Sequence, residues 1–345
     1  MQPPSRSCQH GKHNRSACRF ADHFSGGWQA YGKRTGAVVM LLLMAAISPP
    51  ALAADAAFDP LFSLCLTGNP PTTPETLWRS WSLALQVVLP LLLTVALYGR
   101  GLLALRAAGE GPPRRQVVYA AAGWLVLAAA LVSPLCRLAA TLVSAHMVQH
   151  MLLVAVAPPL LVLAAPLPVI RAALPQGWQS LLGALSARIA GSWRRLGGPL
   201  AAGAAYGAAI WLWHLPILYQ AVLLDPLLHI FAYAALIGVS LLYWAGVVTA
   251  GRDSANGYGA AILSLLATLM HTGLLGALLT FARVPWYPLL SGGAGYWGLS
   301  PLADQQLAGL VMWMPMGTIY LVASLIAAAA WLAAAARPTA TQPAP

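Results

Sequence analysis

Charge is what this sequence has least of. Acidic and basic residues together make up 8% of its 345 positions, and from Ala54 onward there is no lysine at all. A soluble globular domain carries roughly 25% charged residues, so a soluble globular domain is excluded and an integral membrane protein is indicated. The formal net charge of +11 is not a nucleic-acid signature, because six of the 19 basic residues lie before residue 35 and the rest are scattered arginines. Four cysteines, Cys8, Cys18, Cys65 and Cys136, are too few for a disulfide framework. No glycine-rich phosphate loop followed by lysine, no Ser-His-Asp set and no carboxylate pair is present, and carboxylates are almost missing from the apolar part. These gaps point away from an enzyme. The few intramembrane charges and the lack of a visible inverted repeat argue against a permease.

What the sequence does have is 59% hydrophobic residues arranged in long runs. The first, "AVVMLLLMAAI", follows Lys33 and Arg34 and leads into "SPPALAADAA", where Ala51 and Ala53 fit a small-residue cleavage rule. This is a secretory signal peptide or, uncleaved, an N-terminal span. The polar residues 1–35 before it read as a basic, disordered tail; His10, His13 and His23 there carry no metal reading.

A transmembrane helix needs about 20 mostly apolar residues. Seven stretches qualify beyond the signal-like segment: 81–104, 117–136, 141–163, 200–222, 227–249, 259–282 and 306–334. The expected fold is therefore an all-α bundle of about seven transmembrane helices. Its parts are a tail (1–35), the signal-like segment (36–54), a periplasmic segment (55–80), the membrane domain (81–335) and a cytoplasmic tail (336–345). If the chain emerges outside at Ala54, ten arginines, among them Arg114, Arg115, Arg194 and Arg195, fall on the inner side. Only Arg79, Arg137 and Arg283 fall on the outer side. That distribution obeys the positive-inside rule. Within the long inner connection, Trp178, Leu181, Leu182, Leu185, Ile189 and Trp193 recur at helical spacing with Arg188, Arg194 and Arg195 off the stripe. That pattern predicts an amphipathic surface helix.

Five histidines, His146, His150, His214, His229 and His271, fall within the expected spans. Ionisable residues inside a membrane are costly and mark function by default. At 1.5 Å per residue His146 and His150 lie roughly 8 and 14 Å from the outer end of their span, and His271 roughly 18 Å from the outer end of its own. His214 stands beside Trp211, Trp213 and Tyr219, which read as an outer aromatic belt. His146, Gln149 and His150 share a helix face, and Met147 and Met151 form the neighbouring stripe. Met312, Met314 and Met316 flank Pro315 in the last span. Imidazole with thioether suits copper, above all Cu(I). The expected metal-binding residues are His146, His150, His214, His229, His271, Met147, Met151 and Met312. Haem ligated by the histidines is the alternative. Cys65 and Cys136 stand open as thiolate ligands or as a disulfide pair. Asp304 is expected to cap the outer N-terminus of its own span.

The segments "HMVQHMLLVAVAPPLL", "WLWHLPILY", "HTGLLGALLTF" and "DQQLAGLVMWMP" resemble the CtaG family of cytochrome c oxidase assembly factors. The resemblance covers roughly residues 80–330. It implies a multi-pass protein of the bacterial cytoplasmic membrane that serves the copper centres of the oxidase, with oxidase subunits and membrane lipid as partners and no nucleic acid. It differs at one point: the family pattern leads to two histidines four apart in the fifth span, and this chain has Asp225 four residues before His229.

Overall fold

A computed structural model describes residues 64–336, apart from 68, 196–197, 251–254 and 291. The expected basic tail, the signal-like segment, Cys8, Cys18 and the end of the C-terminal tail lie outside the described residues. Within them the regular structure is helical, without strands. Helix α1 (Leu85–Ala107) is followed by α2 (Arg114–Leu131) and a short α3 (Pro134–Ala139). Helix α4 (Val143–Ala164) leads through α5 (Pro166–Ala172) to α6 (Gln176–Arg195). Then come α7 (Gly198–Trp213), α8 (Pro216–Leu224), α9 (Pro226–Thr249), α10 (Ala255–Thr280) and α11 (Pro301–Ala335).

Among the described residues, five helices are long and apolar enough to cross a membrane: α1, α4, α9, α10 and α11. The α7–α8 pair, bent by 74°, makes a sixth if it forms one span. The expected count of seven is not confirmed. The difference lies in α2, which begins Arg114-Arg115-Gln116 and stops at Leu131, ahead of the 136 expected. Its apolar run is cut by Ser133 and Pro134: the serine hydroxyl accepts from Leu135 N and starts α3, with proline at its first position. Leu89, Leu92 and Leu93 of α1 and Leu325 and Ile326 of α11 are exposed, as lipid-facing residues should be.

Helix α4 sits innermost. Of its apolar stretch 61% is buried, against 17% for the peripheral α1. It packs on α2, α9 and α11. Its course is set by Pro158 and Pro159. Neither has an N–H, so Val154, four residues before the first, loses its helical donor. The backbone widens into a π-helical turn at Leu152–Val156. The freed Val154 carbonyl accepts instead from Ser240 Oγ and from Trp244 Nε1 at 3.0 Å, both on α9. The helix thereby continues past the prolines to Ala164.

Helices α10 and α11 approach through glycine. A Cβ on Gly276 would stand 2.9 Å from the Gly309 carbonyl, and one on Gly309 would collide with the Thr280 backbone. Small residues permit such backbone contact between membrane helices. At the end where α3 lies, Cys65 and Cys136 are joined as a disulfide with Cα atoms 5.6 Å apart. The same end is covered by the segment around Thr72 and by the aromatic loop 283–299. Thr72 N donates to Thr141 Oγ1 at 3.0 Å, and Trp297 Nε1 donates to the Thr72 carbonyl at 2.9 Å. Helix α6 forms where the amphipathic stripe predicts it, with Trp178 and Leu181 exposed.

Candidate functional site

Four of the five histidines converge. His146 and His150, one turn apart on α4, have ring centroids 4.3 Å apart. His214 follows the last residue of α7 and stands 5.7 Å from His150. His229 lies in the first turn of α9 and stacks on Tyr233 at 4.3 Å. Tyr233 in turn presents its ring edge to His150 at 5.6 Å and to His146 at 6.4 Å. All four histidines are buried, none more than 9% exposed.

Local breaks in the helices place them. Pro216 opens α8 and ends α7, and the Ile210 carbonyl near that end accepts from the His214 backbone N–H at 3.2 Å and also meets the His214 ring. His214 Nδ1 pairs with the Ile210 carbonyl at 2.7 Å. His229 Nδ1 pairs with the Val222 carbonyl across the α8–α9 turn at 3.2 Å, and His146 Nδ1 pairs with Ala139 of α3 at 3.2 Å. A carbonyl can only accept, so in each of these three rings Nδ1 carries the proton and Nε2 is the bare nitrogen.

The last span fixes the start of α4. Asp304 is buried, and its carboxylate accepts from Val143 N at 2.7 Å, from Ser144 N at 3.1 Å and from Ser144 Oγ. The expectation that Asp304 caps its own helix is corrected here. Ser300 caps α11 by accepting from Ala303 N, and Asp304 caps α4 across the bundle. Gln305 accepts from Trp286 N, and Gln306 donates to the Ala282 carbonyl at 3.2 Å. The "DQQ" run thus ties one helix start and one loop together. The aromatic-belt reading is also corrected: Tyr219 is buried between His146 at 4.8 Å and Tyr287 at 4.0 Å. Tyr287 of the loop donates its hydroxyl to the His214 carbonyl at 3.0 Å.

His271 is not brought to the cluster. Its ring lies against Gly207 of α7, where a Cβ would come within 2.9 Å of Nε2. Gly207 is seven residues from His214, roughly 10 Å along the helix. Asp225 is exposed and accepts from Leu228 N at 2.7 Å, an ordinary cap for α9. The methionines divide by face. Met147, Met151 and Met312 line one small cavity together with His150 and His214, while Met270 and Met314 are exposed. Met316 completes that lining; its spacing of four from Met312 is the signal that identifies it in the sequence.

Among the described residues, no three His, Cys, Asp or Glu side chains are grouped to hold a metal ion. A donor set that includes thioethers is different. His150 Nε2 and His214 Nε2 are both buried without a hydrogen-bond partner, and both residues line the methionine cavity. The cavity measures about 10 Å³, about the size that one water molecule needs. Two unpartnered imidazole nitrogens beside thioethers are donors that suit Cu(I), so the residues present fit that ion.

The sequence model of the family described as cytochrome c oxidase caa3 assembly factor matches residues 96–334. The chain belongs to this family. No curated protein and no solved structure gives a match. The part shared with the caa3 assembly factors begins within α1 and reaches into the last turn of α11. It contains all four clustered histidines, the cavity methionines and Asp304, whereas Cys65 of the disulfide precedes it.

Proposed function

We propose that this assembly factor handles copper for the oxidase, holding Cu(I) between His150, His214 and the cavity thioethers and passing it on by ligand exchange. The observation that carries the reading is the pair of unpartnered, buried Nε2 atoms on a thioether-lined cavity. Leaving a buried acceptor unpaired costs about 1–3 kcal/mol, and a bound cation offsets that cost. Thioethers are soft and neutral ligands, which suits release to a receiving site better than permanent storage. A haem macrocycle needs a slot far larger than a cavity of about 10 Å³, so cavity size favours a single ion. The disulfide and the arginine distribution support an orientation in which the histidine end faces the oxidising outer side of a bacterial inner membrane. The partners in this reading are the oxidase subunits that accept the ion.

Metal analysis and an absorption spectrum of the purified protein, loaded anaerobically with Cu(I), test this. A single bound copper and no Soret band are expected. The His150→Ala/His214→Ala protein should reach the membrane, bind no copper and leave cells without active oxidase at low copper. A haem spectrum, or full oxidase activity from that variant, overturns the reading.

A further inference from the structure

A second cavity, again about 10 Å³, adjoins the first on the side toward the disulfide. It is lined by His146, His150, Trp213, Tyr219 and Tyr233. His150 and Leu236 line both cavities and form the wall between them. The two spaces have different chemistry. The first is walled by four methionines, whereas the second offers imidazoles and phenols and no sulfur. Two of its polar atoms are buried and without a hydrogen-bond partner: Tyr219 Oη and His150 Nε2. His146, whose Nδ1 is engaged by Ala139, has Nε2 as its bare nitrogen.

We infer that the second cavity is a separate entry station for the ion, with His146 and His150 as its ligands, and that His150 is the ligand shared with the methionine station. This rests on the copper reading proposed above and adds an order of events to it. Along α4 the donors run His146, Met147, His150, Met151 from the disulfide end inward, and Met147 lines only the first cavity, so the second presents imidazoles without sulfur. An ion arriving from that end meets two imidazoles first. It keeps its bond to His150 while His146 is exchanged for His214 and the thioethers, so it is never without a ligand. No electron is transferred; the ion stays Cu(I) throughout. Because His150 serves both stations, only one can be filled at a time, and the softer one holds the ion at equilibrium.

The test uses the full chain in detergent, anaerobic Cu(I) with a competing chelator, and X-ray absorption to read the ligand atoms. Wild-type protein should show sulfur in the copper shell. A variant with Met147, Met151, Met312 and Met316 all changed to leucine, which nearly conserves volume, should still bind copper. Its shell should hold nitrogen and oxygen only, and its affinity should fall by more than the roughly 10–100-fold that loss of an outer-shell partner alone costs. Adding His214→Ala to that variant should leave its copper on His146 and His150, whereas adding His146→Ala and His214→Ala together should abolish binding. His146→Ala alone should keep the sulfur-containing shell and the affinity but slow copper loading in stopped-flow mixing, a readout that stands if the methionine-free variant fails to fold. If the folded methionine-free variant binds no copper, or if His146→Ala strips copper as His214→Ala does, the entry station is wrong and a single site remains. If wild-type protein binds no copper, the copper reading falls and the station with it.

Discussion

Changing Asp304 to alanine tests whether the last span holds the histidine helix in place. The carboxylate satisfies the first two backbone N–H groups of α4 and the Ser144 hydroxyl. Those N–H groups have no partner within their own helix, and Leu142 at the N-cap position offers no side-chain acceptor. Alanine leaves two buried donors unpaired, at about 1–3 kcal/mol each, and removes the anion from the positive end of the helix dipole. Some relaxation toward water at the helix end reduces the sum, so a loss of about 3 kcal/mol is expected. Asparagine keeps one acceptor oxygen and no charge, so Asp304→Asn should cost about half as much, and Ser144→Ala about 1 kcal/mol, since it deletes one hydrogen bond and leaves both caps. Detergent-solubilised protein without copper, unfolded by heat or by titration with a denaturing detergent, gives the three values. The order Ala, then Asn, then the serine variant is the prediction. Melting of Asp304→Ala within about 0.5 kcal/mol of wild type, the spread of ordinary surface substitutions, would refute the cross-bundle cap. Equal losses for Ala and Asn would place the effect in the charge alone.

Two further outcomes follow from the packing. The Cys65–Cys136 bond closes a loop of 71 residues, for which chain entropy gives about 4 kcal/mol; Cys65→Ser, Cys136→Ser and the double variant should therefore melt alike, as should reduced wild type, and a double variant much less stable than either single would contradict this. Gly309→Ala should lower the amount of folded protein in the membrane, because its Cβ meets the Thr280 backbone, whereas Gly273→Ala should be tolerated, its nearest neighbour being Trp313 Cδ1 at 3.5 Å.

The helical membrane fold was legible because long apolar runs admit little else, and the His146–His150 pair because a period of 3.6 puts residues four apart on one face. Boundaries were less so. The second apolar run reads on to 136, but Ser133 and Pro134 end the helix at Leu131. Depth along a span is readable from residue counting; direction around its axis is not. His271 shared a depth range with the other histidines yet lies against Gly207. Met314 sits between Met312 and Met316 in sequence but faces away, since two residues turn a helix by roughly 200°. Tyr219 and Trp213 have the composition of an interfacial belt, yet both are buried and line the second cavity, on either side of the 74° bend between α7 and α8. Asp304 was read as a local cap because a sequence displays local partners. The serine that does that work, Ser300 before Pro301, was visible in the same pattern.

How α4 is held explains why two imidazole nitrogens stay bare. Above the cavity, Tyr233 of α9 donates to Gln149 Oε1 at 2.8 Å, and Gln149 Nε2 donates to the Ala130 carbonyl of α2 at 2.8 Å. Below it, Ser240 and Trp244 of α9 meet the carbonyl that the double proline has freed. Helix α9 is therefore pinned to α4 on both sides of His150, by groups that are not histidines. At the top, the Asp304 carboxylate fixes the first turn and Ala139 fixes the His146 ring. Each of these polar groups already has its partner, and none needs the Nε2 atoms of His150 or His214. Buried histidines between helices commonly use a nitrogen to hold a neighbour; His271, away from both cavities, is also unpartnered at both ring nitrogens, so what sets His150 and His214 apart is the thioether-lined space beside them. Here the neighbours are held by other means, and the two nitrogens are left without a hydrogen-bond partner beside a thioether-lined space. That arrangement costs stability as it stands and makes sense when a guest supplies the missing bond.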